Sequence, residues 1–253
     1  MKFSANLGFL WSEHALPDAI RAAKAAGFDA VECHWPYDVP TTETRAALEE
    51  TGLAMLGLNT NRGNVAAGEN GLSAVPGREA VARAAIDQAI AYANAIDAQA
   101  IHVMAGKTDA EAAPQTFLDN LAYACDAARN RTILIEPLNA FDAPGYFLRD
   151  TTQAVEIIQA VKAPNLKLMF DCYHVARTEG DVLARLMNVF EHVGHIQFAG
   201  VPSRGAPDEG ELDYPSLFDE IAKLGWNKPL GAEYKPNGPT EDTLNWFKNP
   251  KFL

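Results

Sequence analysis

Short apolar runs alternate along this chain with alanine-rich amphipathic stretches, about one pair every 30 residues, which is the rhythm of βα units on a parallel sheet. A parallel strand buried on both faces needs an unbroken apolar run, and its crossover needs a helix with one apolar face. Strands are expected at 3–7, 30–33, 54–58, 100–104, 133–137, 166–171, 195–199 and 230–234. Helices are expected at 16–26, 42–51, 78–96, 113–128, 152–161, 181–191 and 214–224, with an eighth at 240–247. Gly27, Gly52 and Gly225 stand where helix C-caps belong, Thr151 at an N-cap, and Pro215 in a first turn. Eight such pairs in 253 residues point to an α/β fold, a (β/α)8 TIM barrel forming one domain over 1–253. An open doubly wound sheet is the alternative, but no G-x-G-x-x-G follows the first strand and no P-loop is present. The stretch 59–78, with Gly63, Gly68, Gly71, Pro76 and Gly77, reads equally as a lid over the catalytic face or as a static loop.

Charge and cysteine usage exclude whole classes. The chain has 21 basic and 33 acidic side chains, a net charge of −12 that repels phosphate backbones, so no nucleic-acid partner is expected. No apolar run reaches the ~18–20 residues of a membrane span. The segment from Met1 to Trp11 reads as a first strand and not as a signal peptide. Cys33, Cys125 and Cys172 are odd in number, far apart and without a C-x-x-C pair, which fits core packing in the reducing cytoplasm. Homo-oligomerisation stays open, because the apolar helix faces suit a core or a subunit interface equally.

In a barrel of this kind the site is built at the C-terminal ends of the strands. The fifth apolar run ends in Glu136-Pro137, the sixth in Asp171, the seventh contains His195-Ile196-Gln197, and the eighth ends in Glu233. Three carboxylates gathered in one mouth repel each other and are costly to desolvate, and a divalent cation removes that objection. The oxygen set of Glu136, Asp171, Gln197 and Glu233 suits a hard cation, Mg²⁺ or Mn²⁺, better than zinc, which draws His and Cys. Taken singly, each acid is as readily a surface charge or a helix cap; the succession on four strands is what points to one site. Two glutamates about a metal suggest a mechanism. The metal polarises a carbonyl and its neighbouring hydroxyl, one glutamate removes the α-proton, the other returns a proton to the adjacent carbon, and a metal-bound enediolate lies between.

The same residues carry a family resemblance. The chain resembles the hydroxypyruvate isomerase family within the xylose-isomerase-like barrels, through 3–7 with Phe9-Leu10-Trp11, 57–60, 76–79, 102–106, 135–139, 144–148, Asp171-Cys172-Tyr173-His174, 195–197, Gly210-Glu211 and Glu233-Tyr234. The resemblance implies a TIM barrel isomerising a small 2-oxo, 3-hydroxy acid, with hydroxypyruvate to tartronate semialdehyde as the reference reaction and 2-oxotetronate as the four-carbon alternative. It implies metal ligation by Glu136, Asp171, Gln197 and Glu233, and proton transfer by Glu136 and Glu233. One departure stands out. Where the family pattern leads one to expect Arg-His-Glu-Pro, this chain has Arg204-Gly205-Ala206-Pro207.

Four further residues are substrate-binding candidates. His174 lies three positions after Asp171 and can donate to a substrate oxygen, the alternative being a satisfied loop histidine. His102 sits inside the fourth run, as readily a buried core histidine as a ligand contact. Arg204 offers a bidentate fork to a substrate carboxylate, with Lys107 and Arg62 as weaker rivals. Glu211 suits a supporting role or the first turn of a helix. His195 shares a strand face with Gln197 and is expected one layer deeper, while Trp11, Trp35 and Phe147 are candidates for the wall of the mouth. Other readings on the same barrel are a sugar 3-epimerase, a dehydratase using His174 as acid, a zinc DNA-repair endonuclease, disfavoured by six histidines and the charge, and a ligand-binding barrel with a degenerate site.

Overall fold

A computed structural model describes residues 1–252, among which are nine parallel strands and eight α-helices. The strands are β1 (Phe3–Asn6), β2 (Ala30–Glu32), β3 (Ala54–Met55), β4 (Gly57–Asn59), β5 (Ala100–His102), β6 (Thr132–Ile135), β7 (Leu166–Asp171), β8 (Val193–Phe198) and β9 (Leu230–Ala232). Their order across the sheet is β3-β2-β1-β9-β8-β7-β6-β5-β4. The two end segments are one stave interrupted at Leu56. The Leu56 N–H donates to Val31 O at 2.7 Å, and the Cys33 N–H to Gly57 O at 3.1 Å, so β2 bonds to both halves. With β4 paired onward to β5, the sheet closes on itself and leaves no long free edge. The single stave expected at 54–58 is therefore present, broken by one residue.

The helices are α1 (Leu16–Ala26), α2 (Thr41–Thr51), α3 (Glu79–Ile96), α4 (Ala113–Ala127), α5 (Thr151–Val161), α6 (Cys172–Thr178), α7 (Val182–Val189) and α8 (Tyr214–Lys223). In α1 the sequence logic is plain. Pro17 opens the helix, Pro17, Ala19, Ile20 and Ala23 form the buried face, and Gly27 ends it at φ 100°, a conformation open to glycine. Alanines do the same work in α3, where Ala82, Ala89 and Ala93 are buried with Ile86 and Ile96.

Three expectations need correction. Asp150, not Thr151, caps α5: its carboxylate accepts the Gln153 N–H at 2.8 Å, and Thr151 is the first helical residue. Helix α6 is additional, started by Asp171 directly at the end of β7. The segment 240–247 holds no α-helix. It folds as 3₁₀ turns at Thr240–Thr243, Trp246–Lys248 and Pro250–Phe252. The reason is tertiary. Trp246 is fully buried and meets the rings of Phe3, Phe198 and Phe252 at centroid distances of 5.2, 5.4 and 6.0 Å, which a regular helix bracketed by Pro239 and Pro250 would not deliver.

All three cysteines are buried and free. No described helix is long and apolar enough to cross a membrane.

Candidate active site

The rim of the barrel collects polar side chains because each strand ends where its apolar run ends. Glu136 follows β6 and is stopped by Pro137, Asp171 closes β7, Gln197 lies near the end of β8, and Glu233 follows β9. Asp171 is the register partner of Gln197, and Gln197 of Gly231, two residues before Glu233. All four are at most 5% exposed. Asp171 does two jobs. Its Oδ1 accepts the Tyr173 N–H at 2.8 Å as the cap of α6, which leaves Oδ2 to face His174 Nε2 at 3.6 Å and Arg204 Nη2 at 3.8 Å.

Each member of the quartet keeps one buried oxygen without a hydrogen-bond partner: Glu136 Oε1, Asp171 Oδ2, Gln197 Oε1 and Glu233 Oε2. Buried polar atoms are seldom left so, and acceptors that find only the long contacts of Arg204 and His174 could also serve a bound cation. Glu136, Asp171 and His174 also bring ligand atoms within 4.8 Å of one another, a spacing that could hold an ion. The hydrogen bonds of His174 argue for another use of that ring. Its Nδ1 faces the Asn139 backbone N–H at 3.0 Å and the Asn139 amide nitrogen at 2.7 Å, both donors. A neutral ring accepting at Nδ1 carries its proton on Nε2, which lies 3.6 Å from Asp171 Oδ2 and 3.9 Å from Glu136 Oε1. His174 therefore presents an N–H, not a lone pair, to the site.

The two glutamates are pushed in opposite directions. Burial, then the charges of Glu233 and Asp171, raise Glu136 well above the usual carboxylate range. Asp171 is pushed up to about 7 by burial and Glu233. Burial acts on Glu233 as well, but Arg204 and His34 outweigh it and hold this carboxyl below the usual range. Arg204 Nη2 lies 3.3 Å from Glu233 Oε2 and 3.8 Å from Asp171 Oδ2, and Nη1 3.5 Å from Asp142. Its guanidinium sits against the rings of Phe9 and Tyr173. The backbone around it is tight. Gly200 and Gly205 form an antiparallel bridge, and a Cβ at Gly200 would overlap Ala206 O. Gly200, with no Cβ, thus lets the backbone of 205–206 fold closely against it behind Arg204.

The structure places the other candidates unevenly. His102 lines the cavity, 3.6 Å from Glu136, with both ring nitrogens lacking partners. Glu211 is exposed on the loop before α8 and does not line the cavity; its backbone N–H donates to Val201 O. Lys107 is exposed, and Arg62 stacks on Trp35 at 3.7 Å. Trp35 lines the cavity with Phe9, whereas Trp11 is buried on Glu241 and Phe147 packs against Phe117. His195 lies deeper, as expected, with Nε2 2.9 Å from Glu32.

Two residues escaped the sequence reading. His34 contacts Glu233 Oε1 at 2.9 Å through Nε2, in space that a Cβ at Gly8 would invade. Glu32 is buried under the site. The signal was available: an acid and a histidine closing the short run Ala30-Val31 obey the same strand-end rule that found Glu136.

The 59–78 stretch is pinned and not free along its length. Gly71 bridges Ala105, the N–H groups of Ser73 and Ala74 donate to Met104 O and Ala105 O, and Glu69 pairs with Arg78. Its longest exposed run is 64–68, while Asn59 and Asn70 face the cavity.

One stability consequence follows from the histidines. Burial pulls His102 and His174 down to about 3. The unfolded chain binds their protons near pH ~6.5, so stability is fully present above that pH and is lost as the pH falls toward ~3. Glu136 and Asp171, raised by burial, act in the opposite sense, so the histidine contribution is read by difference: from about pH 7 to about pH 4 the Tm of His102→Gln should gain on that of wild type, because its uncharged amide has no proton to take up.

Residues 20–249 match the family described as the xylose isomerase-like TIM barrel. The chain is 46% identical to a protein of Cupriavidus necator named 2-oxo-tetronate isomerase, over 98% of this chain and 97% of that one. It is 38% identical to the hydroxypyruvate isomerase of Escherichia coli, over 98% of each chain. A crystal structure from Brucella melitensis, titled AP endonuclease, family 2, superposes with a TM-score of 0.94 at 37% identity, covering 98% of each chain.

Proposed function

Because this chain belongs to the xylose isomerase-like TIM barrel family, and within it to the hydroxypyruvate and 2-oxo-tetronate isomerases, we propose that it moves a carbonyl between C2 and C3 of a short 2-oxo acid, using Glu136 and Glu233 for proton transfer. The observation that carries this reading is the buried cluster of Glu136, Asp171 and Glu233, tied together by His174 and Arg204, with Gln197 in register beside Asp171 and one unpartnered oxygen on each of the four. These residues fit Mg²⁺ or Mn²⁺, which would supply Lewis-acid polarisation of the substrate carbonyl and its neighbouring hydroxyl.

The chain's own groups divide the remaining work. Glu233, kept ionised by Arg204 and His34, takes the proton from C3. Glu136, which burial and the charges of Glu233 and Asp171 make the readier of the two to hold a proton when no cation is bound, returns one to C2. Between these steps an enediolate carries the charge, and the O3 proton passes to O2, so that no redox cofactor is needed. His174 Nε2–H is the donor to a substrate oxygen. Arg204 Nε, buried without a partner, is the donor left for the substrate carboxylate.

A short 2-oxo acid is favoured over a ketohexose by the relatives, named 2-oxo-tetronate isomerase and hydroxypyruvate isomerase at 46% and 38% identity over nearly the whole chain. The name of the Brucella structure belongs to a DNA-repair class, but a net charge of −12 opposes a phosphate backbone.

The test is turnover of hydroxypyruvate and 2-oxotetronate by metal-stripped protein, with and without added Mg²⁺ or Mn²⁺. No turnover in EDTA and recovery with either ion is the expected result. The higher kcat/KM is expected for 2-oxotetronate, since the more similar of the two named relatives carries that substrate. Full activity in the stripped protein would remove the metal from the reading, and incision of an abasic duplex without isomerisation would replace it.

A further inference from the structure

Strand β2 contributes none of the four unpartnered oxygens, yet Glu32 and His34, two apart and so on one face, both enter the barrel from it. Glu32 is 4% exposed and reaches from β2 to β8. Three donors converge on its carboxylate. Ser4 Oγ reaches Oε1 at 3.1 Å, and His195 Nε2 and Gln197 Nε2 both reach Oε2 at 2.9 Å. The room for this crossing comes from Gly231, the register partner of both Ser4 and Gln197. A Cβ there would overlap Glu32 Oε1 and lie 2.8 Å from Gln197 Cγ.

A carboxamide has a donor end and an acceptor end, and only the acceptor end can bind a cation. A carboxylate already taken by a hydroxyl and a ring N–H draws the donor end. The Gln197 Nε2 therefore turns to Glu32, and Oε1 is left buried and partnerless on a residue that lines a small cavity together with Glu233 and His102. We propose that Glu32 is a positioning residue that dictates which end of the Gln197 amide faces the cation site. The inference rests on the reading of Gln197 as a ligand. Without Glu32 the amide is free to rotate by a half-turn and offer an NH₂ group, which repels the ion.

The experiment measures Mn²⁺ affinity of the metal-stripped full chain from the EPR signal of free Mn²⁺, for wild type, Glu32→Gln, and Glu32→Gln combined with Gln197→Glu. Loss of a group that orients a ligand typically weakens metal binding about 10–100-fold, and that is the expected change in Glu32→Gln. The double variant is expected to recover most of it, because the new amide at 32 donates to the new carboxylate at 197 and leaves one oxygen facing the site. A merely structural Glu32 would lower Tm without a recovery of affinity in the double variant. Should Glu32→Gln not fold, Glu32→Asp draws the carboxylate back from Gln197 Nε2 without touching Gln197 and carries the same expected loss. Unchanged Mn²⁺ affinity in a folded Glu32→Gln, or no recovery in the double variant, overturns the proposal while leaving the metal reading standing. A wild type that binds no Mn²⁺ overturns both.

Discussion

Replacing Glu136 or Glu233 by glutamine is expected to lower kcat about 10²–10⁴-fold, the usual range for loss of a general acid or base. Glutamine keeps the shape and an acceptor oxygen but cannot carry a proton. The two variants should fail at different steps, which solvent deuterium separates. With Glu233→Gln, C3–H exchange and isomerisation should disappear together, because the first proton is never removed. With Glu136→Gln, deuterium should enter the recovered substrate at C3 while product formation stays low, because the enediolate forms and returns. Full rate in either variant would sink the two-glutamate mechanism, and identical exchange behaviour in both would sink the assignment of steps.

The second large effect is on stability. Trp246→Ala should destabilise the fold by about 3–5 kcal/mol, the range for removal of a large buried aromatic. Trp246 is fully buried among Phe3, Phe28, Phe198, Tyr234, Phe247 and Phe252, a cluster that ties the 3₁₀ turns after β9 to β1 and β8. Urea unfolding checks it: the midpoint should drop at unchanged slope. The control is Phe141→Ala, 72% exposed, which should shift stability by less than about 0.5 kcal/mol. A Trp246→Ala midpoint as mild as this control would mean that the turns contribute little to holding the barrel.

What was legible in the sequence follows the physics of each element. Strands and amphipathic helices announce themselves by period, so the barrel and the four rim residues on β6 to β9 could be read from spacing. The turns at 240–252 could not, since their form is set by where Trp246 must go, and that depends on Phe3 and Phe198 far away in the chain. Glu32 and His34 were overlooked because β2 is only three residues long, so that its end was drawn too late and an acid inside a strand candidate looks structural. Glu211 misled for the opposite reason: an acid beside a glycine in a familiar stretch says nothing of which way the loop points, and this one points to solvent.

The closure of the sheet has a consequence for the growing chain. β1 bonds to β2 on one side and to β9 on the other, with Phe3 opposite Leu230. During synthesis β1 must wait, one edge open, until β9 has left the ribosome. Glu233 arrives in the same stretch, so the acidic mouth is completed only as the last stave docks. Pairing so distant in sequence is slow, and an open parallel edge invites neighbouring nascent chains. The barrel is therefore expected to be most prone to aggregate in the interval before β9 emerges to close it.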